Sequence, residues 1–242
     1  MTKPTASSAL IARLTEQQSE RELAAERARK KSEPDDSGWF DPQREYRFDE
    51  DEASLAVEFF PRFLRHSKGE MGGAPFELRT WQRSDIIRPL FGWYVRGDDG
   101  RWRRKYRVNW DEIPRKNGKS TLAAGVGLKL TFADAEPGAE VYSTAADREQ
   151  ANVVFGEARR MRDGNDQLRR RSLAYTKSMV VPTLGSRYMV LSADAGTKHG
   201  LNAHGIINDE LHAQRTRELY DVMHTSMGAR RQIGRAVQQE CR

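Results

Sequence analysis

The sequence predicts an α/β fold in which helices cover both faces of a mainly parallel sheet, forming a three-layer sandwich. Two observations support this fold class. Short segments whose apolar residues alternate or run together, as in strands, recur between longer segments with helical apolar spacing, and this order is typical of α/β domains. In addition, a Gly-Lys-Ser triplet at residues 118–120 stands between one such strand and one such helix. A strand followed at once by a helix is the unit from which parallel sheets are built.

The composition indicates a basic protein without a membrane span. The chain has 242 residues, of which 37% are apolar and 31% charged, and its net charge is +6. A basic balance favours a polyanionic partner such as nucleic acid, although many basic proteins bind none. The single cysteine, Cys241, allows no disulfide within the chain, and no apolar run approaches the ~20 residues of a membrane span. We expect a soluble intracellular protein with no membrane partner.

Three segments differ in composition. Residues 1–36 are charged, with apolar positions too sparse to bury much, so we expect a disordered or partner-dependent helical segment. Residues 37–232 carry the aromatic and apolar patterns of a folded domain. Residues 233–242 do not continue these patterns, and we interpret them as an atypical tail. Within the domain, helices are predicted at 55–64, 81–93, 120–132, 147–162 and 218–227, and strands at 105–113, 140–145, 205–208 and between 173 and 191.

The segment 113–120, Ile-Pro-Arg-Lys-Asn-Gly-Lys-Ser, is a candidate phosphate-binding loop. Its last three positions match the pattern G-x-x-x-x-G-K-[ST], and Ile113 replaces the first glycine. Between a strand and a helix, backbone N–H groups and the helix N-terminus face an anion. We therefore expect a P-loop NTPase-type fold, with Lys119 at the β- and γ-phosphates of a nucleotide and the Ser120 hydroxyl on Mg²⁺. An exposed basic turn that caps an ordinary helix is the alternative.

Neighbouring polar residues extend this candidate ATP site. Arg115 and Lys116 place two more cations on the loop, where they would form charge-assisted hydrogen bonds with a triphosphate. The Gln82 amide can donate and accept at once, so it can contact the adenine edge. The alternative for Gln82 is an exposed residue on an ordinary helix. The candidate ATP-binding residues are Gln82, Arg115, Lys116, Asn117, Gly118, Lys119, Ser120 and Thr121.

An acidic pair follows the predicted strand at 205–208. Asp209 would hold Mg²⁺ together with Ser120, and Glu210 would act as the general base that polarises the attacking water. The pair lies about 90 residues after Lys119, beyond several predicted strands, as the core of an ATPase requires. An Asp-Glu pair at the end of a strand can also be an ordinary pair of exposed carboxylates.

These features together resemble the ATPase domain of tailed-phage terminase large subunits, the DNA-packaging motors. The resemblance rests on Arg-Thr-Trp-Gln at 79–82, on the loop at 113–120, and on Ile-Ile-Asn-Asp-Glu-Leu-His-Ala at 206–213, and it covers roughly residues 40–232. Such terminases often carry a deviant loop with a basic residue near its start, for which Arg115 is the candidate. The resemblance implies Mg²⁺-dependent ATP hydrolysis, with Arg115 and Glu210 as catalytic residues and Ser120 and Asp209 at the metal.

The resemblance also implies binding partners and a longer protein. The partners are double-stranded DNA, a terminase small subunit, a portal ring and further copies of the subunit in a ring, all in the host bacterial cytoplasm. A terminase large subunit continues after the acidic pair with a coupling motif and a nuclease domain, whereas this chain stops about 30 residues past Glu210. We therefore expect an ATPase without its nuclease part, whose sheet lacks its last strands. The alternatives are another P-loop motor such as a helicase, or a non-enzymatic basic nucleic-acid-binding protein.

The histidines and a cluster of arginines are two further groups of candidate residues. The histidines show no recurrent metal-ligand spacing, so we interpret them as loop residues rather than zinc ligands. A basic cluster is a candidate for contacts with DNA phosphates or for an arginine finger, and a solvated surface is the alternative. The four histidines in the last quarter of the chain are His199, His204, His212 and His224. The cluster comprises Arg159, Arg160, Arg162, Arg169, Arg170 and Arg171.

Overall fold

The computed structural model describes residues 41, 43–114, 116–145, 148–192, 201–209, 218–227 and 234–239. The chain divides into two units, Met1–Phe48 and Asp49–Arg242. In the first unit, strand β1 (Tyr46–Phe48) follows a turn in which the backbone N–H of Asp41 donates to the Tyr46 hydroxyl at 3.0 Å. The charged segment 1–36 lies outside the described residues.

The second unit begins with two helices. Helix α1 (Glu50–Phe63) is capped by Asp49, whose side chain accepts a hydrogen bond from the backbone N–H of Glu52 at 3.1 Å. This cap, together with an acidic first turn, explains why the helix begins earlier than the apolar pattern predicts. Helix α2 follows as a π-helical part, Gln82–Ile87, continued by an α-helical part, Arg88–Gly92.

The strands of the second unit form a hairpin and a larger sheet. Strands β2 (Trp93–Arg96) and β3 (Trp102–Arg104) pair in antiparallel fashion. Within the described ranges, the larger sheet has the order β4-β10-β9-β5-β8-β7-β6. Strands β4, β10, β9, β5 and β8 run parallel, and β7 and β6 add an antiparallel edge, so the prediction of a mainly parallel sheet is confirmed. The strands are β4 (Asn109–Glu112), β5 (Glu140–Ala145), β6 (Leu173–Ala174), β7 (Ser178–Val181), β8 (Ser186–Ser192), β9 (Gly205–Asn208) and β10 (Gly234–Gln239).

Strand β10 lies in the segment 233–242, for which the sequence predicts an atypical tail. Val237 stands opposite Trp110 of β4 on one side and opposite Asn208 of β9 on the other, in parallel register with both. The structure therefore continues the sheet beyond the predicted boundary at residue 232. Backbone pairing with two neighbours does not require a strong apolar pattern, which is why sequence reasoning found no strand here.

Helices cover both faces of the sheet. Helices α3 (Lys119–Phe132), α4 (Arg148–Asp163) and α5 (Asp166–Arg171) precede helix α6 (Glu218–Ser226) in the chain. Apolar residues of α3 and α4 share a core with Ile207 and Tyr188, whereas Met223 of α6 packs with Ile206 and Tyr142. Because neighbouring residues on a strand face opposite sides, this division makes the three-layer sandwich that the sequence predicts. In the described part of the chain, no helix is long and apolar enough to cross a bilayer.

Helix α3 approaches the sheet closely at Gly127, where a Cβ atom would lie 2.7 Å from the Tyr188 hydroxyl and 2.8 Å from Cδ1 of Ile207. We expect Gly127→Ala to lower the free energy of unfolding by about 1–3 kcal/mol, because these neighbours would have to shift. The measurement is chemical denaturation. Gly156→Ala in α4 is the matched control, since its Cβ would come no nearer than 3.5 Å to Arg160, and it should gain about 0.5–1 kcal/mol. Equal losses in both variants would contradict the packing argument.

Candidate nucleotide-binding site

The loop between β4 and α3 turns sharply before the helix begins. Lys116 and Gly118 adopt left-handed backbone conformations, with φ of 66° and 77°. The Asn117 side-chain amide donates to the carbonyl oxygen of Pro114 at 3.2 Å and braces the turn. Helix α3 starts at Lys119, so its first backbone N–H groups face the loop without partners inside the helix. This end of α3 therefore has the geometry of an anion-binding site.

The basic loop and the acidic strand end meet at this helix terminus. The Lys119 ammonium lies 3.5 Å from Oδ1 of Asp209, and the Ser120 hydroxyl donates to Oδ2 of the same carboxylate at 3.2 Å. Asp209 follows β9, and its backbone N–H donates to the Thr144 carbonyl oxygen at the end of β5. Lys119 and Asp209 are 9% and 5% exposed, so their charges interact with little screening by water. Two motifs separated by about 90 residues thus form one site.

Gln82 lies beside the loop on the π-helical part of α2. It is only 2% exposed, so the alternative of an exposed helical residue is wrong. Its Oε1 accepts a hydrogen bond from the backbone N–H of Arg79 at 2.9 Å, and its Nε2 lies 4.0 Å from where a Cβ of Gly118 would stand. Single π-helical turns occur frequently at functional sites.

The remaining predicted site residues divide into two groups. Lys116 is exposed and Asn117 and Thr121 are half-buried, all near the start of α3. Arg115 and Glu210, the residues predicted to be catalytic, lie outside the described residues. The structure brings together Gln82, Gly118, Lys119, Ser120 and Asp209.

The donor atoms at the site suit Mg²⁺. The Ser120 hydroxyl and the Asp209 carboxylate are oxygen donors 3.2 Å apart, and oxygen is the ligand type that Mg²⁺ prefers. The part of the chain that the structure describes holds no cluster of three or more His, Cys, Asp or Glu residues suited to a metal. Mg²⁺ commonly takes one or two protein ligands and completes its shell with phosphates and water. The donor set therefore fits a Mg²⁺ ion that arrives with a nucleotide.

Sequence reasoning missed a pair of residues directly behind Asp209. The Thr144 hydroxyl donates to the Asn208 side-chain carbonyl, and the two residues stand opposite each other in β5 and β9. Both are buried. The sequence presents Asn208 as an interruption of an apolar run, and only the order of the strands reveals its partner. This bond ties the end of β9 to β5 one residue before Asp209.

Two basic residues, His204 and Arg162, are buried and contact polar groups inside the fold instead of solvent. His204 lies in the loop before β9, as the sequence predicts, but it is fully buried, with its Nε2 2.6 Å from Oδ2 of Asp134. Arg162 is also buried and donates to the Ser172 hydroxyl at 2.9 Å and to the Arg169 carbonyl oxygen at 3.0 Å. These bonds remove Arg162 from the set of candidate DNA contacts. The exposed members of the basic cluster are Arg159, Arg160, Arg169, Arg170 and Arg171.

A buried lysine at the start of a helix, facing a carboxylate at the end of a neighbouring parallel strand, defines an α/β nucleotide-binding domain of the P-loop type. A family model described as "Terminase large subunit, ATPase domain" matches residues 80–237, which is more than half of the chain. The chain belongs to this family. The match ends within β10, so it includes most of the strand that lies in the predicted tail.

Solved structures of phage terminases are similar to this chain. The large terminase of bacteriophage HK97 shares 26% sequence identity with a TM-score of 0.64, over 77% of this chain and 37% of that protein. The ATPase domain of the large terminase of Thermus phage P74-26 shares 17% identity with a TM-score of 0.44, over 55% of this chain and 59% of that one. The present chain thus spans little more than a third of the HK97 protein. No curated protein sequence matches it.

Proposed function

We propose that this chain is the ATPase motor part of a phage terminase large subunit, which hydrolyses ATP to package double-stranded viral DNA into procapsids. The observation that carries the proposal is the meeting of Lys119, Ser120 and Asp209 at the start of α3. Membership of the terminase ATPase family supports it. The proposal includes a terminase small subunit, a portal ring and further copies of the subunit as partners, in the cytoplasm of the bacterial host.

The triphosphate of ATP would lie over the N-terminus of α3. There the backbone N–H groups of the first turn supply donors, and the helix dipole favours negative charge. The Lys119 ammonium sits on a flexible stem, so it can turn from Asp209 towards the β- and γ-phosphates. The buried Gln82 amide lies beside Gly118 of the loop and would contact the base.

Hydrolysis would proceed by in-line attack of water on the γ-phosphate. Mg²⁺ supplies neutralisation of phosphate charge when bound, and the Ser120 hydroxyl and the Asp209 carboxylate would hold it. Glu210, next to Asp209 in the chain, would accept the proton of the attacking water. Arg115, in the loop, would stabilise the charge that develops on the transferring phosphate.

Glu210→Gln tests the proposed reaction. We expect the full chain carrying this change to bind ATP with unchanged affinity while turnover falls at least about 100-fold, because the amide cannot accept a proton. Affinity is measured with a fluorescent ATP analogue and turnover by phosphate release. Glu70→Gln, at an exposed loop position, is the matched control and should change neither quantity. Equal turnover in both variants would rule out the role of Glu210, and an unmutated chain that binds no ATP would overturn the proposed function.

A further inference from the structure

A group of four buried polar side chains lies at the end of α3 opposite the candidate nucleotide site. We call Arg104, Lys129, Asp134 and His204 the Asp134 cluster. The Asp134 carboxylate accepts hydrogen bonds from Arg104 at 2.9 Å, with a second, shorter contact, and from Lys129 at 2.7 Å, and it lies 2.6 Å from Nε2 of His204. One carboxylate thus joins three separate parts of the chain.

The cluster is shielded from water and closed by an aromatic ring. Arg104 and Lys129 are 3% and 4% exposed, and His204 is fully buried. The Phe91 ring faces both cations, with its centroid 4.7 Å from the Arg104 guanidinium carbon and 4.2 Å from the Lys129 ammonium. Burying such charges is costly, and apolar residues of similar volume often stabilise a fold as well or better. Stability alone therefore does not account for the burial of these charges.

Three of the elements that meet at the cluster also carry, or lead into, a residue of the candidate site, and the fourth, β3, supplies Arg104. Phe91 belongs to α2, which carries Gln82. Lys129 lies in the last turn of α3, whose first residue is Lys119. His204 immediately precedes β9, which leads into Asp209. The cluster therefore fastens the far ends of these three elements, and Lys129 lies about 15 Å along α3 from Lys119.

We propose that Asp134 is a positioning residue: through Lys129 and His204 it sets the placement of α3 relative to β9, and so the placement of Lys119 and Ser120 relative to Asp209. A helix transmits a displacement of one end to the other because its backbone is rigid. The distances of 3.5 Å and 3.2 Å at the site depend on that placement. Displacements on the order of 1 Å at reacting groups can lower turnover about 100-fold. This inference rests on the proposed ATPase function.

Lys129→Met and His204→Phe test the inference in the full chain. Each substitution removes one side chain that contacts the Asp134 carboxylate and leaves the other two partners in place, so both variants should remain folded. We expect kcat for ATP to fall between about 10-fold and 100-fold while KM changes less than about three-fold, because the phosphate-binding loop itself is intact. We also expect faster amide hydrogen exchange at residues 119–123, which lie at the other end of α3 from the substituted side chains.

Arg162→Met is the matched control. Arg162 is another buried guanidinium with several hydrogen bonds, but its partners lie in and around α4 and α5, which carry no candidate site residue. It should lower the melting temperature and leave kcat and exchange at 119–123 unchanged. Unchanged kcat and exchange in both cluster variants would overturn the inference, as would equal losses of kcat in Arg162→Met. If the unmutated chain hydrolyses no ATP, the proposed function fails, and the exchange measurement alone decides whether the cluster positions the site.

Discussion

Lys119→Ala is expected to reduce ATP turnover at least about 100-fold and to weaken ATP binding strongly. The Lys119 ammonium is the buried cation at the start of α3, 3.5 Å from the Asp209 carboxylate. Without it, the phosphates lose a charge-assisted donor. The Asp209 carboxylate also loses the cation that offsets its repulsion of a triphosphate. Both effects weaken the binding of phosphates, and both are strong because this site is largely shielded from water.

The measurements are titration with a fluorescent ATP analogue and phosphate release by the full chain. Lys177→Ala provides the matched control, since it removes an exposed lysine between β6 and β7, away from the loop. It should bind and turn over ATP like the unmutated chain. Melting curves of both variants check that the fold is retained. Nucleotide affinity that is the same in Lys119→Ala and Lys177→Ala would show that the phosphate loop is wrongly assigned.

Asp134→Asn is expected to produce the largest loss of stability, about 3–5 kcal/mol at neutral pH. The substitution removes the anion that faces Arg104 and Lys129, and it leaves two buried cations without the carboxylate that they share. The measurement is the free energy of unfolding from denaturant titration. Asp163→Asn is the control, because Asp163 pairs with Arg162 and Arg159 at a half-exposed position. Pairs of this kind contribute about 0–1 kcal/mol.

The loss of folding stability caused by Asp134→Asn should depend on pH. Burial by itself would raise the pKa of the Asp134 carboxyl, but Arg104, Lys129 and the hydrogen bond from His204 together hold that pKa well below its ordinary value of 3.8. A carboxyl with a lowered pKa in the folded state contributes its full stabilisation above the unfolded pKa and loses it as the pH falls towards the folded value. The difference between the two proteins should therefore be constant above about pH 5 and shrink below pH 4. A difference that grows as the pH falls would contradict the ionised state of Asp134.

Local sequence patterns were sufficient to predict most helices and several strands. The helix predicted at 120–132 is α3, and the strands predicted at 140–145 and 205–208 are β5 and β9. Their apolar spacing is strong because both sides of the sheet are covered. The antiparallel hairpin of β2 and β3 and the start of α1 were missed, because a short two-stranded pair and a side-chain cap leave little periodic signal.

The residues of the candidate site were predictable from the sequence, but the way in which they come together was not. Sequence alone determined the basic loop before α3, the acidic end of β9 and the glutamine on α2, because their chemistry resides in consecutive residues. Only the tertiary structure decided that Lys119, Ser120 and Asp209 meet, that residues 234–239 form the strand between β4 and β9, and that His204 is buried against Asp134. The physical reason is that local backbone chemistry acts over a few neighbouring residues. The order of strands in a sheet depends on the packing of the whole chain, which no short pattern encodes.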